Sequence, residues 1–315
     1  MILVAGLTPA WQQILRFAEV KPGAVNRALE AHWCASGKAI NTALAVAGLG
    51  GPVHLLSPAG GWTGQAMREE LAALNVPTTW IAAGTPSPSR VCTTVLDDAT
   101  GNATELVENA PPLPDDVLLA FMREFIALAH KAKFIVLTGS LPMGVPTTFY
   151  RDLLTSVQCP AVLDVRGPEL LATLEHKPRV VKPNREELAM TVKRSLPDES
   201  AILAAMRELI ERGAGSVVVT NGPGPVLMME GGETWRLMPP RLSSIVNPIG
   251  CGDCLTAGIV TALSRGEPLT SAVRLGIAAA ADNAGQLLPA RLSSARIETL
   301  STQIGADRLQ TPGRG

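Results

Sequence analysis

The segment Asn247-Pro-Ile-Gly-Cys-Gly-Asp253 places a carboxylate at the end of a glycine turn, and an apolar helical pattern over 254–264 follows at once. Gly250 and Gly252 allow the backbone to approach a ligand closely. The first amides of the following helix have no partner of their own and point along the positive end of its dipole. Such a turn suits an anion whose charge grows during reaction, as in phosphoryl transfer. A carboxylate repels phosphate, so Asp253 fits beside it as the base that takes a proton from an acceptor hydroxyl. A plain N-cap explains the same aspartate, because Asp is favoured there.

Two further segments could carry chemistry. Val181-Lys-Pro-Asn184-Arg-Glu-Glu187 follows a strand-like run and opens a helix. Asn184 and Glu187 share a face of the first turn, either as a capping box or as outer-shell partners of a Mg²⁺ on nucleotide phosphates. Ser36-Gly-Lys38-Ala-Ile-Asn41 is similar to the end of a Walker A loop but lacks its upstream glycine, His32 standing there, and Ala39 replaces Ser/Thr. Lys38 at a helix start opposes the dipole, so it serves a ligand or is a solvated surface lysine. Cys251-Gly-Asp-Cys254 matches Cys-x-x-Cys in form, but a thioredoxin-like context and a second zinc-ligand pair are both missing.

The elements that must position these residues alternate along the chain. Apolar runs predict strands over 2–5, 53–57, 134–138, 161–164, 180–182 and 216–220. Helical patterns lie over 39–47, 64–74, 114–132, 147–156, 186–191, 199–212, 254–264 and 269–284. This alternation predicts βαβ units and a mainly parallel sheet covered on both faces, an α/β class. The stretches 12–33 and 78–107 are more polar and alternating. They read as antiparallel strands of a small sheet over one end of the main one, or as ordinary loops. A flap there would cover ligands bound at the carboxyl ends of the strands. Residues 1–310 are expected to form one domain and 311–315 a frayed tail.

Composition narrows the class. The 315 residues are 46% hydrophobic, 17% charged and 3% aromatic, with a net charge of −1. An aliphatic core of good size is affordable, and nothing attracts nucleic acid or an anionic membrane. No run approaches the roughly 18 apolar residues of a membrane helix. Five scattered cysteines argue for a reducing, cytoplasmic setting.

Taken together the three segments resemble the ribokinase/PfkB family of sugar kinases, in its phosphofructokinase-like branch. Gly60-Gly-Trp-Thr-Gly64, Thr138-Gly-Ser-Leu-Pro-Met-Gly144 and Val217-Val-Val-Thr-Asn-Gly222 resemble family segments in the right order. The resemblance implies a three-layer α/β/α core with a small β lid, often used for dimerisation, and the use of ATP and Mg²⁺. It implies Asp253 as catalytic base, with Gly250, Cys251 and Gly252 as the anion hole. Asn184 and Glu187 would act on Mg²⁺ and phosphate through water, with Lys182 beside them, and Thr220 and Gly222 would line the nucleotide. Gly37, Lys38 and Asn41 would bind sugar. Arg27 and Arg90 would hold the phosphate the sugar already carries, a task that suits a permanently charged, bidentate group.

The implied reaction is ATP-dependent phosphorylation of fructose 1-phosphate, fructose 6-phosphate or tagatose 6-phosphate. The alternatives are an unphosphorylated sugar or nucleoside as acceptor, or a sugar-phosphate-binding protein with weak catalysis. Gln12 stands where the branch has an aspartate on the sugar hydroxyls, and it brings hydrogen bonds without charge. Ser36, Ala39 and Cys251 exceed the usual residues in size and are expected to crowd the site. No Gly-x-Gly-x-x-Gly follows the first strand, which argues against a dinucleotide oxidoreductase.

Overall fold

A computed structural model of the chain describes residues 1–84 and 89–309. The expected tail, 311–315, lies outside them.

In chain order the elements begin with β1 (Ile2–Ala5), β2 (Ala10–Phe17), β3 (Glu30–Ser36), α1 (Lys38–Gly48), β4 (Val53–Ala59), α2 (Gly61–Ala73) and β5 (Thr78–Ala82). Then come β6 (Arg90–Asp97), β7 (Asn102–Val107), α3 (Asp115–Ala129), β8 (Phe134–Thr138), α4 (Phe149–Thr155), β9 (Ala161–Asp164) and α5 (Gly167–Thr173). The rest are β10 (Val180–Val181), α6 (Arg185–Val192), α7 (Glu199–Glu211), β11 (Ser216–Val219), β12 (Val226–Glu230), β13 (Glu233–Met238), α8 (Cys251–Ser264), α9 (Leu269–Ala284), α10 (Ser294–Ser301) and β14 (Gly305–Leu309).

The ten-stranded main sheet has the order β14-β13-β12-β11-β10-β9-β8-β1-β4-β5. From β5 to β11 every neighbour pairs in parallel, and β12, β13 and β14 close one edge antiparallel. Period-two alternation sorts the side chains to two cores. Ile2, Val4 and Val136 face α1, α8 and α9, while Leu3, Ala5 and Leu137 face α3, α4 and α7. Burial on both faces is what makes these strands continuous apolar runs in the sequence. The predicted α/β class with a parallel sheet between helical layers is therefore observed.

The glycines at the α8–α9 crossing are a packing requirement. A β-carbon on Gly258 would lie 2.4 Å from the Gly276 Cα, so the two backbones touch where any larger residue would part them.

A separate four-stranded sheet, ordered β3-β2-β6-β7, stands apart from the main one. Two expectations about it are corrected. Residues 78–82 do not belong to it: β5 extends the main sheet by pairing with β4. Nor is it wholly antiparallel, because β2 and β6 pair in parallel along their full length. The two strands follow the main-sheet strands β1 and β5 in the chain and run the same way. One face packs Ile14, Cys34 and Leu96 inward.

Candidate active site

The carboxyl ends of the parallel strands meet the first turns of α1, α6 and α8, and the sequence-predicted residues of those turns converge there. β9 ends on Asp164, which is fully buried, and β10 hands directly to Lys182, which is 3% exposed. The Lys38 ammonium, from the first residue of α1, donates to Asp164 Oδ1 and to Glu187 Oε1, both at 3.1 Å. Lys182 Nζ lies 3.3 Å from Asp164 Oδ2, and the Thr256 hydroxyl donates to that oxygen at 3.1 Å. Asn41, one turn into α1, donates through Nδ2 to Asp253 Oδ2 at 2.8 Å. No donor among the described residues reaches Asp253 Oδ1.

Two ammonium groups therefore sit among three carboxyls, and one carboxyl is in surplus. It is Asp253, the one without a lysine in contact. Burial, and then repulsion from Asp164, push its carboxyl up to about 7, against the pull of Lys38, Asn41 and Lys182. Burial alone would raise Asp164 as well, but Lys182 and Lys38 outweigh it and hold that group below its ordinary value. Burial works to lower Lys38; the carboxylates of Asp164 and Glu187 overcome this and raise it.

The glycine turn precedes this cluster. Gly250 adopts a left-handed φ of 86°, and α8 starts at Cys251, three residues before the predicted start at 254. Cys254 N–H makes the first helical bond, to the Gly250 carbonyl, and Cys251 N–H reaches only the Pro248 carbonyl at 3.3 Å. The amides of Gly250, Gly252 and Asp253 find no acceptor among the described residues, as a helix start dictates. A β-carbon on Gly252 would stand 3.7 Å from Lys182 Nζ, so the lysine lies alongside the turn. Asp253 is not an N-cap: Gly250 occupies that position, and the Asp253 side chain is spent on Asn41.

Asn184 and Glu187 do form a capping box, Asn184 Oδ1 accepting from Glu187 N–H at 2.8 Å and Glu187 Oε2 from Asn184 N–H at 2.9 Å. The same box presents Glu187 Oε1 to Lys38. A parallel bridge sets Thr220 beside Asn184.

Other predicted residues stand outside the cluster. Gln12 is buried in the small sheet, donating to Thr94 Oγ1 at 2.7 Å. Arg90 spans the base of that sheet, donating to the carbonyls of Thr8 at 3.2 Å and Glu108 at 3.3 Å, with Nε buried and without a partner. Arg27 is exposed in the β2–β3 connection, and Gly222 sits in the exposed turn after β11. Gly37, with φ of 100°, joins β3 to α1.

Two of the three expected crowding residues turn away. Ala39 is 7% exposed and its methyl faces Gly6 within the core, because the second residue of α1 points down onto the sheet. Cys251 Sγ donates to the Ala280 carbonyl and accepts from Asn283 Nδ2, both at 3.3 Å, which turns it toward α9. Burial pushes its thiol up to about 11 and the Cys254 thiol well above its ordinary value, so neither is a thiolate near neutral pH. Asp164 and Thr256 were missed from sequence; a carboxylate at the carboxyl end of a fully buried strand was the available signal.

Among known proteins, the pfkB family carbohydrate kinase signature matches residues 10–293. A D-tagatose-1-phosphate kinase from Klebsiella oxytoca is 28% identical over 290 residues, covering 90% of this chain and 92% of its own. Phosphofructokinase-2 from Escherichia coli, solved with potassium, superposes with a TM-score of 0.86 at 27% identity, over 96% of this chain and 99% of its own. A Thermotoga maritima structure described as a possible 1-phosphofructokinase shares the fold, with a TM-score of 0.89 at 19% identity over 98% of this chain and all of its own. The chain is a phosphotransferase acting on an alcohol group, a member of the pfkB family of carbohydrate kinases.

Proposed function

We propose that the protein transfers the γ-phosphoryl group of ATP to a hydroxyl of a phosphorylated ketohexose, with Asp253 as the base. The observation that carries this is the Oδ1 of buried Asp253, which no donor among the described residues reaches, beside a glycine turn whose Gly250 and Gly252 amides are unspent. An acceptor hydroxyl donates to Oδ1 and passes its proton there as its oxygen bonds to the γ-phosphorus. The bond to the bridging oxygen breaks and ADP leaves. The amides of Gly250, Cys251 and Gly252 meet the charge on the phosphoryl oxygens, and Lys182 stands over the same turn.

Mg²⁺ fits the donor set. Among the described residues no group of three or more His, Cys, Asp and Glu side chains could cage a metal, but Glu187 and Asn184 offer oxygen atoms at the helix start where phosphates would lie. Mg²⁺ held mainly by phosphate and water needs no more than that. Its contribution when bound is to neutralise charge on the β- and γ-phosphates. Thr220 and Gly222 would border the nucleotide; Lys38, Asn41, Gly37 and Gln12 the sugar; Arg90 and Arg27 its phosphate.

Residues 1–310 act as one kinase domain, with the small sheet as its lid. Trp33, Leu106 and Val107 are exposed on that sheet and Leu29 just before β3, which supports a homodimer through it. The five cysteines are all free, which supports a cytoplasmic setting, and no helix among the described residues is long and apolar enough to cross a membrane.

The names of the relatives support an acceptor that carries phosphate: D-tagatose 1-phosphate for the Klebsiella enzyme, fructose 6-phosphate in an Escherichia coli phosphofructokinase-2 complex. ADP release is to be measured with ATP and the 1- and 6-phosphates of fructose and tagatose, with free fructose and a nucleoside as controls. Turnover confined to the phosphorylated sugars is expected. Equal use of free fructose would overturn the acceptor class, and ATP binding without ADP release on any sugar would overturn the kinase.

A further inference from the structure

We infer that Ser36 is a positioning residue that anchors the Asn41 amide against Asp253, so that the base meets substrate ionised and with one oxygen free. This inference rests on the kinase reading for its functional meaning, though not for its geometry.

Ser36 ends β3 and is 2% exposed; Asn41 is 3% exposed. The Ser36 hydroxyl donates to Asn41 Oδ1 at 3.1 Å, and Asn41 Nδ2 donates to Asp253 Oδ2 at 2.8 Å. An asparagine amide has two unlike ends of nearly the same shape. With NH₂ toward Asp253 it supports a carboxylate. Turned over, it would present its carbonyl and support only the protonated acid. An ionised Asp253, which can only accept, selects the first orientation, and on the far side of the amide the Ser36 hydroxyl holds the side chain there. Without that hydroxyl, Oδ1 would be a buried acceptor lacking a donor, and the amide would lose the contact that fixes it against Asp253. The pfkB resemblance places glycine at this position, so the hydroxyl is a feature of this chain.

The other groups around Asp253 do not substitute for this contact. Lys38 from α1 and Lys182 after β10 are both engaged by Asp164 at the end of β9, and Lys38 also by Glu187 from α6. On its own helix, Asp253 has only the protonated thiols of Cys251 and Cys254 for titratable neighbours.

The test compares wild type, Ser36→Ala and Ser36→Gly, each labelled with carboxyl-¹³C aspartate and titrated by NMR without substrate, Asp253→Asn identifying the signal. Loss of the Ser36 bond should move the Asp253 titration upward by about 0.5–1 pH unit. In the ADP-release assay with the four ketohexose phosphates, the loss of kcat/KM in the Ser36 variants should deepen as the pH falls. Two results would overturn the inference: an Asp253 titration unmoved in the variants, or an activity loss that is the same at every pH. If Ser36→Ala does not fold, Ser36→Gly carries the comparison. Full turnover by Asp253→Asn would instead sink the kinase reading, while the titration would still judge Ser36.

Discussion

Replacing Asp253 with asparagine should remove activity while adding stability, and the stability gain should grow with pH. The asparagine keeps the size of the side chain and can still accept from Asn41 Nδ2. It deletes the one carboxylate that the two lysines do not balance. In the folded chain this carboxyl is raised from 3.8 to about 7. At about 1.4 kcal/mol per pH unit, ionising it inside the fold costs about 4 kcal/mol, an upper bound because the surrounding ammonium groups relax. The sign follows from linkage. A carboxyl raised on folding holds its proton more tightly in the native state, so its contribution is favourable at low pH. That contribution is lost as the pH climbs from about 4 through about 7. Urea unfolding of both proteins between about pH 5 and pH 8 reads the effect as a widening gap in favour of Asp253→Asn. Turnover should fall by about 10²–10⁴-fold, the range expected for a lost general base. A gap that stays constant with pH, or a variant less stable at pH 8 than at pH 5 relative to wild type, would refute the surplus-charge account. Undiminished turnover would refute the base.

Four other tests probe the same construction. Wild-type kcat/KM should rise with pH through about 7 as Asp253 loses its proton; a rate independent of pH across that range would contradict its role as base. Asp164→Ala should destabilise by about 3–5 kcal/mol in denaturant unfolding, since it removes the buried carboxylate in contact with both Lys182 and Lys38. Gly258→Ala adds a good helix former worth about 1 kcal/mol, yet the close approach of Gly276 makes overpacking of about 1–3 kcal/mol the larger effect, so the melting temperature should fall. Arg90→Ala should raise KM for phosphorylated acceptors alone, read by steady-state kinetics on the sugar panel.

Which parts of this molecule were legible in the sequence follows from burial. β1, β8 and β9 are hidden on both faces, so their boundaries at Ile2–Ala5, Phe134–Thr138 and Ala161–Asp164 could be read directly. β5 misled because Thr78–Ala82 has only Ile81 buried. It is half-exposed like a lid strand although it edges the main sheet. β14, Gly-Ala-Asp-Arg-Leu, has no pattern at all; its state comes from pairing with β13. The β12–β13 hairpin did carry a signal in Gly231-Gly232, both with positive φ, the preferred pair for a two-residue turn. At the site, the glycine turn, Asp253, Lys38 and the Asn184–Glu187 pair stood out because each sits at a helix start with local chemistry of its own. Asp164 did not, since its meaning lies in Lys38 and Lys182, far along the chain in one case and across a strand in the other. The direction of the Ala39 and Cys251 side chains was likewise beyond reach, because it depends on which layer each helix packs against.

The parallel pairing of β2 with β6 has a mechanical corollary. Both strands run the same way, and β3 runs back along β2, ending in Ser36. One left-handed residue, Gly37, then separates that strand from Lys38 and Asn41. The small sheet is thus tied by one residue to the helix whose Asn41 amide faces Asp253, and a displacement of the sheet at this joint would carry Ser36, the far-side partner of that amide, along with it.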